Sequence, residues 1–105
     1  MKGPDRGDVW LVDLGYAAKV RPCVVLSIPV LDHDRARVTL IPHTTSPRGS
    51  RFEVNILKRF LRDGVFDAQN PVTIPHGKLV RKLGVLTTAE LVKIEETVRL
   101  WLDLK

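Results

Sequence analysis

The pattern of apolar and polar positions predicts short strands along most of the chain and one long helix at its end. The clearest stretch is Lys19-Val20-Arg21-Pro22-Cys23-Val24-Val25-Leu26-Ser27. Four apolar residues in a row follow Pro22, which marks a strand buried on both faces, because a half-exposed strand alternates. Ser27 and Pro29 end it. Upstream, Gly7-Asp8 signals a turn. Val9 to Leu14 reads as a first strand, with Trp10 and Leu11 giving apolar side chains to both faces. Gly15-Tyr16-Ala17-Ala18 connects the two strands.

Arg35 to Pro42 predicts a third strand, with Val38 and Leu40 on one face and Arg37, Thr39 and Ile41 on the other. His43 to Ser50 is the most polar stretch and, rich in hydroxyls, reads as a loop. Arg51 to Val54 alternates as a fourth strand, and Asn55 is placed to cap a short helical piece through Lys58 to Leu61. Asp63-Gly64 turns into a fifth strand, Val65 to Gln69, which Pro71 interrupts. Val72-Thr73-Ile74 continues extended, Pro75-His76-Gly77 turns, and Leu79 to Leu86 holds one more short strand. Thr87 and Glu90 have the spacing of a capping box, with Thr88 as an alternative cap. They open a helix to about Leu102, with Leu91, Ile94, Val98 and Trp101 as its apolar stripe and Glu95 and Arg99 spaced to pair. Short strands at this spacing, closed by an amphipathic helix, predict a mainly β fold with α, built as a small, strongly bent barrel.

Length and composition narrow the classes. The chain has 105 residues, enough for one domain over 1–105. Its 44% hydrophobic and 28% charged residues are ordinary for a globular fold, which excludes disorder as its main state. No apolar run approaches the ~20 residues that span a bilayer. Met1 to Arg6 lacks the apolar region of a secretory signal. Cys23, the single cysteine, lies in an apolar run and reads as a packing residue. The expectation is a cytoplasmic protein with no membrane partner.

Charge changes the picture. The formal net charge is +5, and the cations recur in clusters near predicted turns: Arg35 and Arg37, Arg48 and Arg51, Lys58, Arg59 and Arg62, Lys78, Arg81 and Lys82. Turns can gather such clusters on one rim, which suits a polyanion. A metal centre is disfavoured, because His33, His43 and His76 share no ligand spacing and Asp32-His33-Asp34 reads as a polar turn. No glycine-rich phosphate loop opens a helix, so no cofactor is expected. Arg6-Gly7-Asp8 matches a cell-adhesion tripeptide and is read as chance. Among the histidines, His43 is the best candidate acid or base, beside the hydroxyl cluster, although strand parity points it away from Thr44.

The remaining constellation is Arg21 with Thr44, Thr45 and Ser46. Pro22 pushes the Arg21 backbone to an extended conformation, which fixes a guanidinium at the mouth of a buried strand. Guanidinium plus hydroxyl is the chemistry of phosphate recognition. It also suits phosphoryl transfer in which an RNA 2′-OH attacks its own phosphate and the protein neutralises the pentavalent dianion. An arginine keeps its proton to about pH 12, so Arg21 suits stabilisation and proton donation, not the role of base.

The ordered set of motifs resembles the MazF/PemK toxins. These motifs are Arg6-Gly7-Asp8-Val9-Trp10-Leu11-Val12-Asp13, the Lys19 to Ser27 segment, Ile41-Pro42-His43-Thr44-Thr45-Ser46, Phe52-Glu53-Val54, Arg62-Asp63-Gly64-Val65 with Asp67-Ala68-Gln69, and Lys82-Leu83-Gly84. The resemblance implies an SH3-like β-barrel that forms a homodimer. It implies a metal-independent endoribonuclease of a type II toxin–antitoxin pair, cleaving single-stranded RNA to a cyclic phosphate and a free 5′-OH. The family's catalytic arginine falls on Arg21 and its threonine on Thr44, with Thr45 next. Lys19, Thr45, Ser46, Arg48 and Gln69 fall at substrate-binding positions. An acidic antitoxin whose tail fills the RNA groove is the implied partner. The Gly15 to Lys19 loop is shorter than the family's usual one, and Pro71 stands where a strand would continue. Two rivals remain: a CcdB-like toxin that poisons a topoisomerase, and a basic barrel that binds RNA without chemistry.

Overall fold

The structure, a computed structural model, describes residues 3–15 and 19–105. The strands are β1 (Asp8–Asp13), β2 (Val20–Val25), β3 (Arg37–Thr44), β4 (Glu53–Val54), β5 (Val65–Asp67), β6 (Val72–Pro75) and β7 (Leu79–Val85), followed by the helix α1 (Thr88–Leu102). Neighbours pair in the order β4-β5-β3-β2-β1-β7, with β6 also paired to β3. Every ladder is antiparallel. The path has two ends, β4 and β7, and among the described residues no ladder joins them. The expected closed barrel is therefore an open, bent sheet in its hydrogen bonding.

The expectation of a strand buried on both faces holds: Cys23, Val24 and Val25 have no exposed surface. Val24 joins a core with Val9, Ile41, Phe66, Ile94 and Val98 on one face of the sheet. Cys23 and Val25 join a second core with Val12, Val38, Leu40 and Ile74 on the other. Each fully buried aliphatic side chain contributes roughly 1.5–3 kcal/mol, so β2 is held from both sides. Val38 and Leu40 share the second core as their spacing predicts, and Ile41 lies in the first.

The third strand runs two residues later than expected, from Arg37 to Thr44. Pro42 lies inside it, and the sheet explains how. On one side β3 pairs with β2 throughout Leu40 to Pro42. On the other side it pairs with β6 up to Leu40 and with β5 from His43. Pro42 falls where that partner changes, so its missing N–H leaves no gap in a ladder.

Elsewhere polar side chains cut the predicted strands short. The fourth strand keeps only Glu53 and Val54, because the Glu53 carboxylate accepts the backbone N–H groups of Arg48, Gly49 and Ser50 and folds that stretch into a turn. The fifth ends at Asp67, whose Oδ1 accepts the Gln69 N–H at 3.2 Å while its carbonyl accepts that of Asn70. The helical piece expected from Asn55 to Leu61 is a single turn, with Leu61 N–H bonded to the Lys58 carbonyl. The connection at Gly15 to Ala18 lies partly outside the described residues. Its flanks are tied by Lys19 N–H to Gly15 O and Leu14 N–H to Lys19 O.

The capping box forms: Thr87 accepts from Glu90 N–H, and Glu90 accepts from Thr87 N–H. Such a cap contributes about 1 kcal/mol. Ile94 and Val98 are buried, Leu91 is half-buried against the same core, and Trp101 meets Phe52 edge to face at 5.3 Å. Glu95 pairs with Arg6, not with Arg99 as its spacing suggested. No helix among the described residues is long and apolar enough to cross a membrane.

Candidate functional site

The ends of β2 and β3 carry the candidate site. In the β2–β3 ladder Cys23 faces Pro42, Val24 faces Ile41 and Val25 faces Leu40. The same register, continued by two residues, sets Arg21 opposite Thr44. Opposed residues of an antiparallel pair share a face. Arg21 and Thr44 thus project on the side of Cys23, Leu40 and the second core. The backbone of Arg21 is fixed from β1 by its pairing with Val12. Its carbonyl oxygen accepts the Cys23 thiol at 3.6 Å. Burial pushes that thiol up to about 12, against a smaller opposing pull from the Arg21 charge. Cys23 stays a neutral packing residue, as its place in the apolar run predicts.

Two clefts open where these strands end, and Arg21 and His43 line both. The first measures about 520 Å³. Lys19, Arg62 and Arg81 join Arg21 in it, Thr45 lies at its wall, and Leu11, Phe60 and Leu83 form an apolar floor. Among the described residues its lining holds four cations and no carboxylate. The second measures about 380 Å³ and brings Arg21 together with Thr44, Ser46 and Arg48. Glu53, Asp67 and Asn70 complete its polar wall. Hydrogen bonds from the backbone, the Arg48 N–H first, hold the Glu53 carboxyl below its ordinary range, with help from the Arg48 charge.

The two threonines lie on different sides. Thr44 is half-buried in the second cleft, and its Oγ1 accepts the Ser46 N–H at 3.1 Å. Thr45 is exposed and lines the first cleft. Gln69 is exposed and lines neither, while its neighbour Asn70 lines the second. Lys82 pairs with Asp8 at 3.3 Å and Lys58 with Glu90 at 2.6 Å, so these two cations are spent away from the site.

His43 points away from Thr44, as parity predicts. Its ring meets Phe66 edge to face at 5.0 Å on the side of the first core. It is only 3% exposed, and its Nε2 is a buried atom with no hydrogen-bond partner. Burial lowers its pKa below the usual 6.5, so the ring is neutral at pH 7. Gly64 packs against it so closely that a Cβ there would lie 2.2 Å from the Thr44 carbonyl oxygen and 2.8 Å from His43 Cε1. His76 lies at the β3–β6 end, its Nε2 at 3.2 Å from the Arg37 carbonyl oxygen, and lines neither cleft. Among the described residues no three His, Cys, Asp or Glu side chains gather as a metal site.

Sequence reasoning overlooked Phe60, Asp67 and Asn70. Phe60 lies between Arg59 and Arg62, an aromatic within a basic run that is a legible sign of a nucleic-acid surface. It is seated on Gly84, where a Cβ would lie 2.4 Å from its ring. Asp67 and Asn70 carried no local signal, because only the fold of β4, β5 and the turn after them brings both to Thr44.

A family model described as PemK-like, MazF-like toxin of type II toxin–antitoxin system matches residues 5–102. Among solved structures, an endoribonuclease in complex with its cognate antitoxin, from a mycobacterial species, is 29% identical with a TM-score of 0.83, over 98% of both chains. The Mycobacterium tuberculosis toxin MazF-mt6 is 28% identical with a TM-score of 0.74, over 93% of this chain and 98% of that one. A MazE–MazF structure from Deinococcus radiodurans has a TM-score of 0.82 over 98% of both chains. At 19% identity it speaks for the fold alone.

Proposed function

We propose that this chain, which belongs to the PemK-like, MazF-like toxins of type II toxin–antitoxin systems, is an endoribonuclease that cuts single-stranded RNA at the junction of its two clefts. The observation that carries the reading is Arg21. It is anchored on a doubly buried strand, lines both clefts, and shares the second with Thr44. Two solved relatives of 29% and 27% identity are described as endoribonucleases.

The residues assign the following roles. An RNA phosphate lies against Arg21, with flanking phosphates held by Lys19, Arg62 and Arg81. The 2′-hydroxyl attacks the adjacent phosphorus and gives up its proton to solvent water, the P–O5′ bond breaks, and the 5′-oxygen leaves with a proton from Arg21, which Arg21 regains from solvent. The products are a 2′,3′-cyclic phosphate and a 5′-OH. Arg21 neutralises the charge that builds on the phosphoryl oxygens and is placed to donate the leaving group's proton. Thr44 donates a hydrogen bond to the same phosphoryl group. No step of this chemistry asks for a metal ion. His43, neutral and buried, supports the wall of both clefts instead of charging in the reaction.

The reading extends to assembly. The face of the second core leaves Trp10, Leu14 and Leu79 half-buried, surface that a homodimer would cover. An acidic antitoxin segment is the matching partner for the cationic cleft, by the same charge logic that attracts RNA. Action on mRNA places the protein in the cytoplasm.

The test is incubation of purified protein with a long, ribosome-free RNA, in chelator, followed by mapping of product ends. Cyclic phosphate and 5′-OH ends are expected. Arg21→Ala and Thr44→Ala should abolish them while leaving the fold intact. Full cleavage by a folded Arg21→Ala protein, or RNA left intact by the wild type, would overturn the proposal.

A further inference from the structure

The two clefts on either side of Arg21 differ in charge. Flanking phosphates belong in the first, whose described lining holds four cations and no carboxylate. The second sets Glu53 and Asp67 against Arg21 and Arg48, so beyond the scissile phosphate at Arg21 and Thr44 a further phosphate gains no net attraction there. A neutral group that offers hydrogen-bond donors suits it better. A nucleobase is such a group.

The donors and acceptors within the cleft can be sorted. Glu53 is largely occupied, since one of its oxygens accepts from Arg48, Gly49 and Ser50 and the other from Arg48 again. Asp67 uses Oδ1 for the Gln69 N–H at 3.2 Å. Asn70 lies beside it on the same wall with both a donor and an acceptor. The volume of about 380 Å³ admits one base.

We propose that the second cleft is a base pocket in which Asp67 selects a nucleobase bearing an exocyclic amino group, adenine, cytosine or guanine, over uracil. The inference rests on the endoribonuclease reading and deepens it by naming what the enzyme reads. A carboxylate accepts hydrogen bonds and gives none while ionised, so it rewards an amino edge. Uracil has no amino group; its single donor, N3–H, is flanked by two carbonyl oxygens that the carboxylate repels. RNA specificity of this kind needs bases splayed out of the strand, which a narrow cleft beside the scissile phosphate provides.

The experiment is cleavage of a randomised RNA pool by wild type and by Asp67→Asn, with sequencing of the cut ends. Asparagine keeps the Oδ1 acceptor for Gln69 N–H, so the turn and the fold are retained. In the wild type, uracil is expected to be depleted about tenfold or more at one position flanking the cut, from the roughly 1–3 kcal/mol that a good base contact discriminates. In Asp67→Asn that depletion should fall away, because the carboxamide can donate to a uracil oxygen. Circular dichroism confirms that the variant is folded, and the ratio of bases at its cut ends reports its preference whatever its overall rate. Uracil accepted equally at every flanking position by the wild type, or a depletion unchanged in Asp67→Asn, overturns the inference while leaving the endoribonuclease reading standing. No cleavage by the wild type overturns both.

Discussion

The two clefts share Arg21 and His43 and differ in nearly everything else. One is the larger, cationic, floored by Leu11, Phe60 and Leu83, and free of carboxylates among the described residues of its lining. The other is smaller, rich in hydroxyls and amides, and faced by Glu53 and Asp67. Thr45 and Pro22 line the first, Thr44 and Pro42 the second, as alternation along β2 and β3 would divide them, while Arg21 and His43 line both. The contrast suits a division of labour in the proposed reading, with flanking phosphates held by the cationic cleft and a base met by the mixed one.

Breaking the shared residue should have the largest effect. Arg21→Ala removes the one cation common to both clefts, and the cutting rate is expected to fall by about 10²–10³ or more, the scale of losing one preorganised donor. Arg21→Lys should restore RNA binding far better than rate, because an ammonium keeps the charge and loses the planar fork. Rates and binding constants measured side by side check both statements.

Gly64→Ala should damage both clefts at once, since the added Cβ collides with the Thr44 carbonyl oxygen and the His43 ring. Overpacking of this kind costs about 1–3 kcal/mol. Urea denaturation should show the loss, and the folded fraction should still cut RNA poorly.

The cationic side can be tested alone. Lys19→Ala, Arg62→Ala and Arg81→Ala should each weaken RNA binding on any sequence and lower the slope of log K against log salt by about 0.7. Arg48→Ala, whose charge lies near Glu53, should change that slope less. Equal slopes for all four variants would erase the distinction between the clefts.

The smallest effect concerns pH. Burial lowers the pKa of His43 in the folded chain below the usual 6.5. The unfolded chain therefore binds the extra proton first as pH falls. Stability is whole above about 6.5 and declines as pH drops through that value toward the lower folded one. Thermal midpoints measured from about pH 7.5 to about pH 5.5 should fall, and His43→Leu should flatten the decline. That variant removes an unpartnered buried polar atom, so its own cost at pH 7.5 is expected to be small.

Much of this was legible in the chain itself. The run after Pro22, the capping box at Thr87 and Glu90, and the helical stripe all follow from local patterns with a fixed period. Arg21 could be singled out because its neighbours alone fix it: a proline after it and a buried strand beyond. The exact ends of β3, β4 and β5 were not legible. Pro42 stays in a strand only because its partner changes there, and Glu53 and Asp67 end strands by bonds to backbone groups that pattern does not reveal.

Local sequence thus determined the strand types, the terminal helix, the neutral buried thiol and the choice of Arg21 as the candidate centre of the site. Tertiary structure alone decided which cations converge, that the sheet's hydrogen bonding leaves β4 and β7 unjoined, and that Asp67 and Asn70 stand beside Thr44. The physical reason is range. A periodicity, a cap or a proline acts over a few residues, where the chain's own geometry enforces it. A cleft wall is assembled from segments tens of residues apart, and only the packing of β2 between its two cores fixes where they meet.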